Sequence, residues 1–229
     1  MASFLLGLAV VISTLIVTKA FVKVKAFGQT ITVTGSASKP IRSNRGLWEG
    51  TVSVTAANIE EAYSQLKSHL AKTEAFLGQE GFQQGQYEIG AVQIAKNMNR
   101  EGVLTGYSLR QTLKVALDDI DRVTSLSRTA SSLVEAGIEF YSGSPRYLFT
   151  GLDALKIDMI RAATENAKLR AHQLAEITGR KVGAPASARV GVFQIRALNS
   201  QEVSDMGMSD ERSIDKEIVS TVTVSFLFE

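Results

Sequence analysis

His69 and His172 are the only histidines in the chain, and it holds no cysteine. Those two counts limit the chemistry sharply. A hydroxyl nucleophile needs a neighbouring base, and near neutral pH imidazole is the usual one. His69 falls on the polar or boundary side of one helical pattern and His172 on the solvated side of another, so both read as surface histidines. Neither stands at metal-ligand spacing from a second histidine. The missing cysteine excludes disulfides, thiol catalysis, cysteine-based zinc or iron–sulfur sites, and direct peroxide chemistry by a thiol.

Paired acids occur at Glu60-Glu61, at Asp118-Asp119 with Asp121, and at Asp210-Glu211. The first two groups fall at helix starts, where carboxylates accept from free backbone N–H groups and face the positive end of the helix dipole. The third lies in a charged loop. A weak calcium site at Asp118 and Asp121 is conceivable, but the Asp-x-Asp-x-Asp-Gly spacing of a calcium loop is absent. Gly78, Gly81 and Gly85 precede a strand and lack the Lys-Ser/Thr of a phosphate-binding loop. A net charge of +2, with no basic stripe interleaved with aromatics, gives no reason to expect nucleic acid. No reaction class can be assembled from these groups. The expectation is a protein that is not an enzyme, with no catalytic, metal-binding or cofactor-binding residue and no cofactor.

What remains is contact chemistry. Tyr141 to Tyr147 is a turn carrying Arg146 between two aromatics, readable as a loop or a contact surface. Trp48, the single tryptophan, sits in a strand and reads as core or subunit contact. Met206 and Met208 form an exposed-looking pair in a polar loop, whereas Met159 reads as core.

These residues hang on elements that periodicity makes visible. The longest is a helix over residues 150–178, with Leu152, Leu155, Met159, Ala163, Ala167, Ala171 and Leu174 on one face. Thr150 with Asp153 marks its start and Gly179 its stop. The stripe narrows to alanine in its middle, which lets a helix lie close against a sheet. Its other face is charged and solvated.

Upstream, residues 29–35 alternate as a strand, and 36–46, with Pro40, read as a loop or irregular edge. Residues 47–57 alternate again, and Asn58 with Glu61 opens a helix carrying Ala62, Leu66, Leu70, Thr73 and Leu77. Strands over 88–97 and 103–117 follow around a hairpin loop. The second has one apolar and one polar face, as an antiparallel sheet covered on one side requires. A helix over 119–136, an interrupted strand over 138–149, the long helix, and strands over 181–198 and 218–228 complete the order.

The order contains a repeat: strand, helix, strand, strand at 47–117 recurs at 138–228. Ile89-Gly90-Ala-Val-Gln93-Ile94 echoes Val190-Gly191-Val-Phe-Gln194-Ile195 after each main helix. The expected class is α+β: two strand-helix-strand-strand repeats, antiparallel sheets with packed helices, preceded by an N-terminal membrane helix.

That N-terminal segment, residues 1–25, is apolar or small from Ala2 to Val17. It is at the short end of the ~20 residues a spanning helix needs, and longer than a ~7–15-residue signal core. An uncleaved anchor is the first reading and a cleaved signal the alternative. The rest, 26–229, is roughly 200 residues, enough for one large domain or two small ones. The chain as a whole, with 45% apolar and 21% charged residues, has the composition of a globular protein.

Three stretches carry a family resemblance. Ala163-Thr-Glu-Asn166-Ala167-Lys-Leu-Arg170-Ala171-His-Gln-Leu174-Ala175 with Gly179-Arg-Lys-Val-Gly183 resembles the signature helix and turn of the SIMPL domain family. Thr30-Ile-Thr-Val-Thr-Gly35 and Gly106-Tyr107-Ser-Leu-Arg-Gln-Thr-Leu-Lys-Val115 are similar to two further family segments. The resemblance covers about residues 30–229 and rests on patterned Ala and Gly positions. It implies an exported envelope protein, periplasmic or surface-associated; with the apolar segment this gives an inner-membrane anchor with the domain in the periplasm, or a soluble periplasmic protein after cleavage. It also implies homo-oligomers, ring- or channel-like in some members, and a link to oxidative-stress defence in others. The positive-inside rule would instead place Lys19, Lys23 and Lys25 in the cytoplasm, opposite to the side that the resemblance implies.

Two functions are therefore expected in order: a membrane-anchored, homo-oligomeric envelope protein without enzymatic activity, or a module capturing a small ligand or peptide between the two repeats. A hydrolase with an unrecognised site stands third.

Overall fold

A computed structural model describes residues 13–14, 17–18 and 30–228. The anchor or signal segment therefore lies almost wholly outside the described residues. Among those described, no helix is long and apolar enough to cross a membrane.

Two antiparallel sheets, each backed by helices, make an α+β fold. The first is built on β2 (Arg45–Ala56) and β5 (Leu104–Leu117), paired from Gly46 against Leu117 to Ala56 against Tyr107. Short strands β3 (Tyr87–Ile89) and β4 (Gln93–Met98) follow one another along the free side of β5, and β6 (Glu139–Ser142) and β7 (Arg146–Leu148) along the free side of β2. The second sheet is built on β1 (Thr30–Arg42) and β11 (Asp215–Phe228), paired along their whole length. Beside β11 run β8 (Val182–Val190) and β9 (Gln194–Ala197), with the two-residue β10 (Met208–Ser209) parallel to β9.

Alternation dictates which faces are covered. In β2, Gly46, Trp48, Gly50, Val52 and Val54 point inward. They pack with Leu109, Leu113 and Val115 of β5 under helix α1 (Ile59–Gln79), which contributes Ala62, Leu66 and Leu77, and helix α2 (Ile120–Thr129), which contributes Val123 and Leu126. Each such leucine or valine contributes about 1.5–3 kcal/mol by leaving water. Asn58 caps α1 by accepting from the Glu61 amide (2.8 Å), and Asp119 caps α2 by accepting from the Arg122 amide (3.1 Å). The expected helix over 119–136 is two pieces, α2 and the single turn α3 (Ser132–Glu135), and Val134 is exposed.

The long helix is α4 (Leu152–Ile177). Its buried row, Leu155, Met159, Ala163, Ala167, Ala171 and Ala175, advances by four residues at every step, so Leu174 falls off it and is exposed. Thr150 is not its cap. The N-cap is Gly151, and Thr150 exchanges two hydrogen bonds with Asn44: its amide donates to Oδ1 (2.9 Å) and its hydroxyl accepts from Nδ2 (2.8 Å). Gly179, at φ +68°, ends the helix as expected.

Two other expectations change. Residues 36–42 are not a loop, because β1 runs on through Pro40 opposite Glu217. Pro40 is tolerated because, among the described residues, β1 pairs with β11 alone and leaves its other backbone edge unbonded. Nor does the strand over 138–149 open a second repeat. As β6 and β7 it completes the first sheet beside β2, and β1 supplies the long partner that β11 needs.

The six-residue echo nevertheless has a geometric meaning. The Gly90 amide donates to Thr112 O and the Gly191 amide to Thr221 O, each at 2.8 Å. Ile89 and Gln93 face Leu113 and Arg110; Val190 and Gln194 face Val222 and Val219. In both places four steps on the broken strand oppose three on the long one, which is a bulge at the same point of each sheet.

Candidate functional site

The structure keeps the base candidates apart. His69 is half-buried on α1 and His172 exposed on α4, helices that back different sheets. Among the described residues no group of three or more His, Asp or Glu could hold a metal ion. The acids at the helix starts act there as caps and first-turn charges.

Polar groups converge instead at the seam between the two halves. Lys216, 2% exposed, shares the inward face of β11 with Ile218, Ser220, Val222 and Val224. Its ammonium donates to the main-chain carbonyls of Tyr147 and Asp210. The Tyr147 amide donates to Glu211 O (2.7 Å), and Arg146 Nε donates to Glu211 Oε2 (2.8 Å). The Ser43 amide donates to Ile214 O (2.9 Å). The loop over 210–214 thereby bonds to both sheets.

Charges at the seam are tuned by their surroundings. Burial pushes the Lys216 ammonium below its ordinary value, against the pull of Asp210 and Glu211. Burial alone would raise Asp210, but hydrogen bonds from Ser213 and from the Arg212 and Ser213 amides, with the charge of Lys216, hold its carboxyl below the usual range. One oxygen of that carboxyl, Oδ2, is buried without a hydrogen-bond partner among the described residues. Lys216 was legible in principle: it is a lysine on the apolar parity of an alternating strand. Of the turn at 141–147, Arg146 and Tyr147 are bonded into the seam, whereas Tyr141 and Ser144 are exposed. Trp48 is core: it is 1% exposed and donates from Nε1 to Ser142 Oγ (3.0 Å).

A second meeting point joins two of the segments whose residue patterns stood out. A Cβ on Gly35 would lie 2.1 Å from Ala163 O and 2.2 Å from Ala167 N. Beside it the Ser36 amide donates to Asn166 Oδ1 (3.1 Å) and Arg170 Nη1 donates to Thr34 O (2.9 Å). Gly35, Asn166, Ala167 and Arg170 thus form one close helix–strand contact.

The surface offers an apolar hairpin and two clefts. The hairpin between β4 and β5 leaves Ile94, Met98, Val103 and Leu104 exposed by 45–61%. A cleft of about 510 Å³ lies between α4 and β8. A smaller one of about 370 Å³ lies beside Trp48, Tyr87 and the Glu49–Lys114 pair. Each is lined from one half alone, so neither is the expected pocket between repeats. Met206 is almost fully exposed, Met208 is half-buried in β10, and Met159 is core.

No curated protein matches the chain. A family model does, described as SIMPL, protein of unknown function (DUF541), and it aligns with residues 31–226. The match spans both sheets, the Gly35–α4 contact and the seam around Lys216, and on that extent the chain belongs to the SIMPL family.

Proposed function

We propose that this protein is a non-enzymatic component of the cell envelope, held at the inner membrane by its N-terminal segment with the domain in the periplasm, and that it works as a homo-oligomer. The observation that carries the oligomer is the hairpin of β4 and β5. Four large apolar side chains stand in water, Ile94 along β4 and Met98, Val103 and Leu104 at the tip, and among the described residues β4 pairs with no strand but β5. Contiguous exposed apolar groups and open strand edges are the usual raw material of protein contacts. The anchor rests on the apolar run from Ala2 to Val17, and the periplasmic side on the family resemblance.

Any part in oxidative-stress tolerance is indirect on this reading, because the chain has no cysteine to turn over peroxide. Cysteine-independent peroxide turnover by the purified protein would overturn that statement. The assembly is tested by light scattering on the full-length chain in detergent, beside a chain truncated to begin at Gln29. A defined oligomer in both supports assembly through the domain. Monomers in both refute it.

A further inference from the structure

We propose that the cleft between α4 and β8 binds a free fatty acid, its carboxylate held at Lys168 and His172 and its chain lying over Val182, Pro185, Ala188 and Phe226. This goes beyond the envelope-scaffold reading and does not depend on it.

The cleft exists for a reason that begins in the sequence. The alanine row of α4 and the bare Cα of Gly35 draw the helix down onto β1 and β11. Strand β8 lies one position further out, beside β11, and beyond Val182 the residues it turns to the trough, Gly183, Pro185 and Ala188, are small. From Ala184 onward β8 is exposed. A trough of about 510 Å³ is left, floored by Val224 and Phe226 at the rim of the core. That volume is in the ~300–1,000 Å³ range of small-ligand sites.

Charge selects the class of ligand. Thr164, Lys168 and His172 stand four residues apart, so they form one ridge of α4 along the trough. Elsewhere on the helix, Lys156 and Arg161 have carboxylate partners in Asp153 and Asp158, and Arg170 donates to Thr34 O. Among the described residues neither the Lys168 ammonium nor the His172 imidazole has a hydrogen-bond or ion-pair partner. Lys181 extends the positive rim, and the Arg180 guanidinium lies 5.0 Å over the Phe228 ring. Two carboxylates of α4 lie near, Glu165 beside Thr164 and Glu176 in the adjoining recess, and neither lines the trough. An apolar floor with a cationic rim suits an anionic single chain. A peptide suits it less well, because backbone N–H and C=O groups of β8 lie in the plane of the sheet and are not offered to a ligand on its face.

The test uses the full-length chain and a hexadecanoic acid carrying a terminal diazirine, cross-linked by light and mapped by peptide mass spectrometry. Adducts are expected on residues 182–188 and 224–226, displaced by unlabelled laurate and not by dodecyltrimethylammonium. Ala188→Phe, an exposed position where a ring fills the trough, should cut these adducts at least tenfold. Lys168→Glu, on the solvated rim, should raise the laurate concentration needed for displacement at least tenfold in the wild-type fold, with folding checked by circular dichroism. Adducts confined to other parts of the chain, or adducts indifferent to Ala188→Phe, would overturn the site. Displacement by dispersed phosphatidylglycerol as efficient as by laurate would overturn the free fatty acid in favour of a lipid headgroup.

Discussion

Gly35 on β1 and Ala167 on α4 touch backbone to backbone: a methyl group added to Gly35 would sit 2.2 Å from the Ala167 amide nitrogen. No side chain can yield at that point, since what it would strike is main chain. The contact fixes how near the longest helix comes to the longest strand pair, and through that the position of everything attached to α4.

Gly35→Ala should therefore destabilise the protein by about 3 kcal/mol, at the upper end of what overpacking costs. Asn166→Ala, which removes only the acceptor of the Ser36 amide, should cost about 1 kcal/mol. Urea unfolding of both variants checks the pair. Equal and small effects would mean that the helix can lift from the sheet without loss.

Lys216→Met should be costly although the side chains are similar in length. It leaves the Tyr147 and Asp210 carbonyls without their donor and removes the cation facing the Asp210 carboxyl. A loss of about 2–4 kcal/mol is expected. If the seam depends on this lysine, limited proteolysis should cut the loop over 199–214 first in the variant.

Glu217 should give the stability part of its acid dependence. It accepts from Arg196 Nε (3.1 Å) and Nη2 (2.9 Å), and the Arg196 bonds first, then Ser38, hold its carboxyl below the ordinary 4.5. A carboxyl with a lowered folded pKa adds stability above its unfolded pKa and loses it as pH falls through the folded one. Below about pH 4.5 the wild type should lose stability more steeply than Glu217→Gln. Asp210, lowered from 3.8, keeps some slope in the variant at still lower pH. Denaturation curves across that range measure the difference, and parallel slopes would deny Glu217 its part.

The double substitution Ile94→Lys with Met98→Lys should disperse the proposed oligomer without unfolding the domain. Both side chains are more than half exposed, so a monomer's melting temperature should barely move. Light scattering reads the mass and calorimetry the stability. An unchanged mass would place the contact elsewhere on the surface.

Much of this architecture is legible locally. The alternation of β2 and β5, the Asn58 and Asp119 caps, the alanine row of α4 and its glycine stop follow from residue types at fixed spacing, which is information carried within one element. The errors are of another kind. Pro40 reads as a loop residue because the sequence does not say that β1 is an edge strand, where an unbonded backbone nitrogen costs nothing. Leu174 reads as core because a three-residue step and a four-residue step look alike until the helix's crossing direction over the sheet is known. Residues 138–149 read as the start of a second unit because order along the chain resembles the first.

By itself, then, the sequence determined which segments are strands and helices, which faces are apolar, and the family pattern, since periodicity and capping act over a few residues. Tertiary structure alone decided that β1 and not the 138–149 strand pairs with β11, that Lys216 finds the carbonyl of Tyr147 in β7, 69 residues away, beside that of Asp210, and that small side chains on β8 leave a trough under α4. Those outcomes depend on register and on the volume left between elements. Both are set by contacts across long sequence separations, which no local pattern encodes.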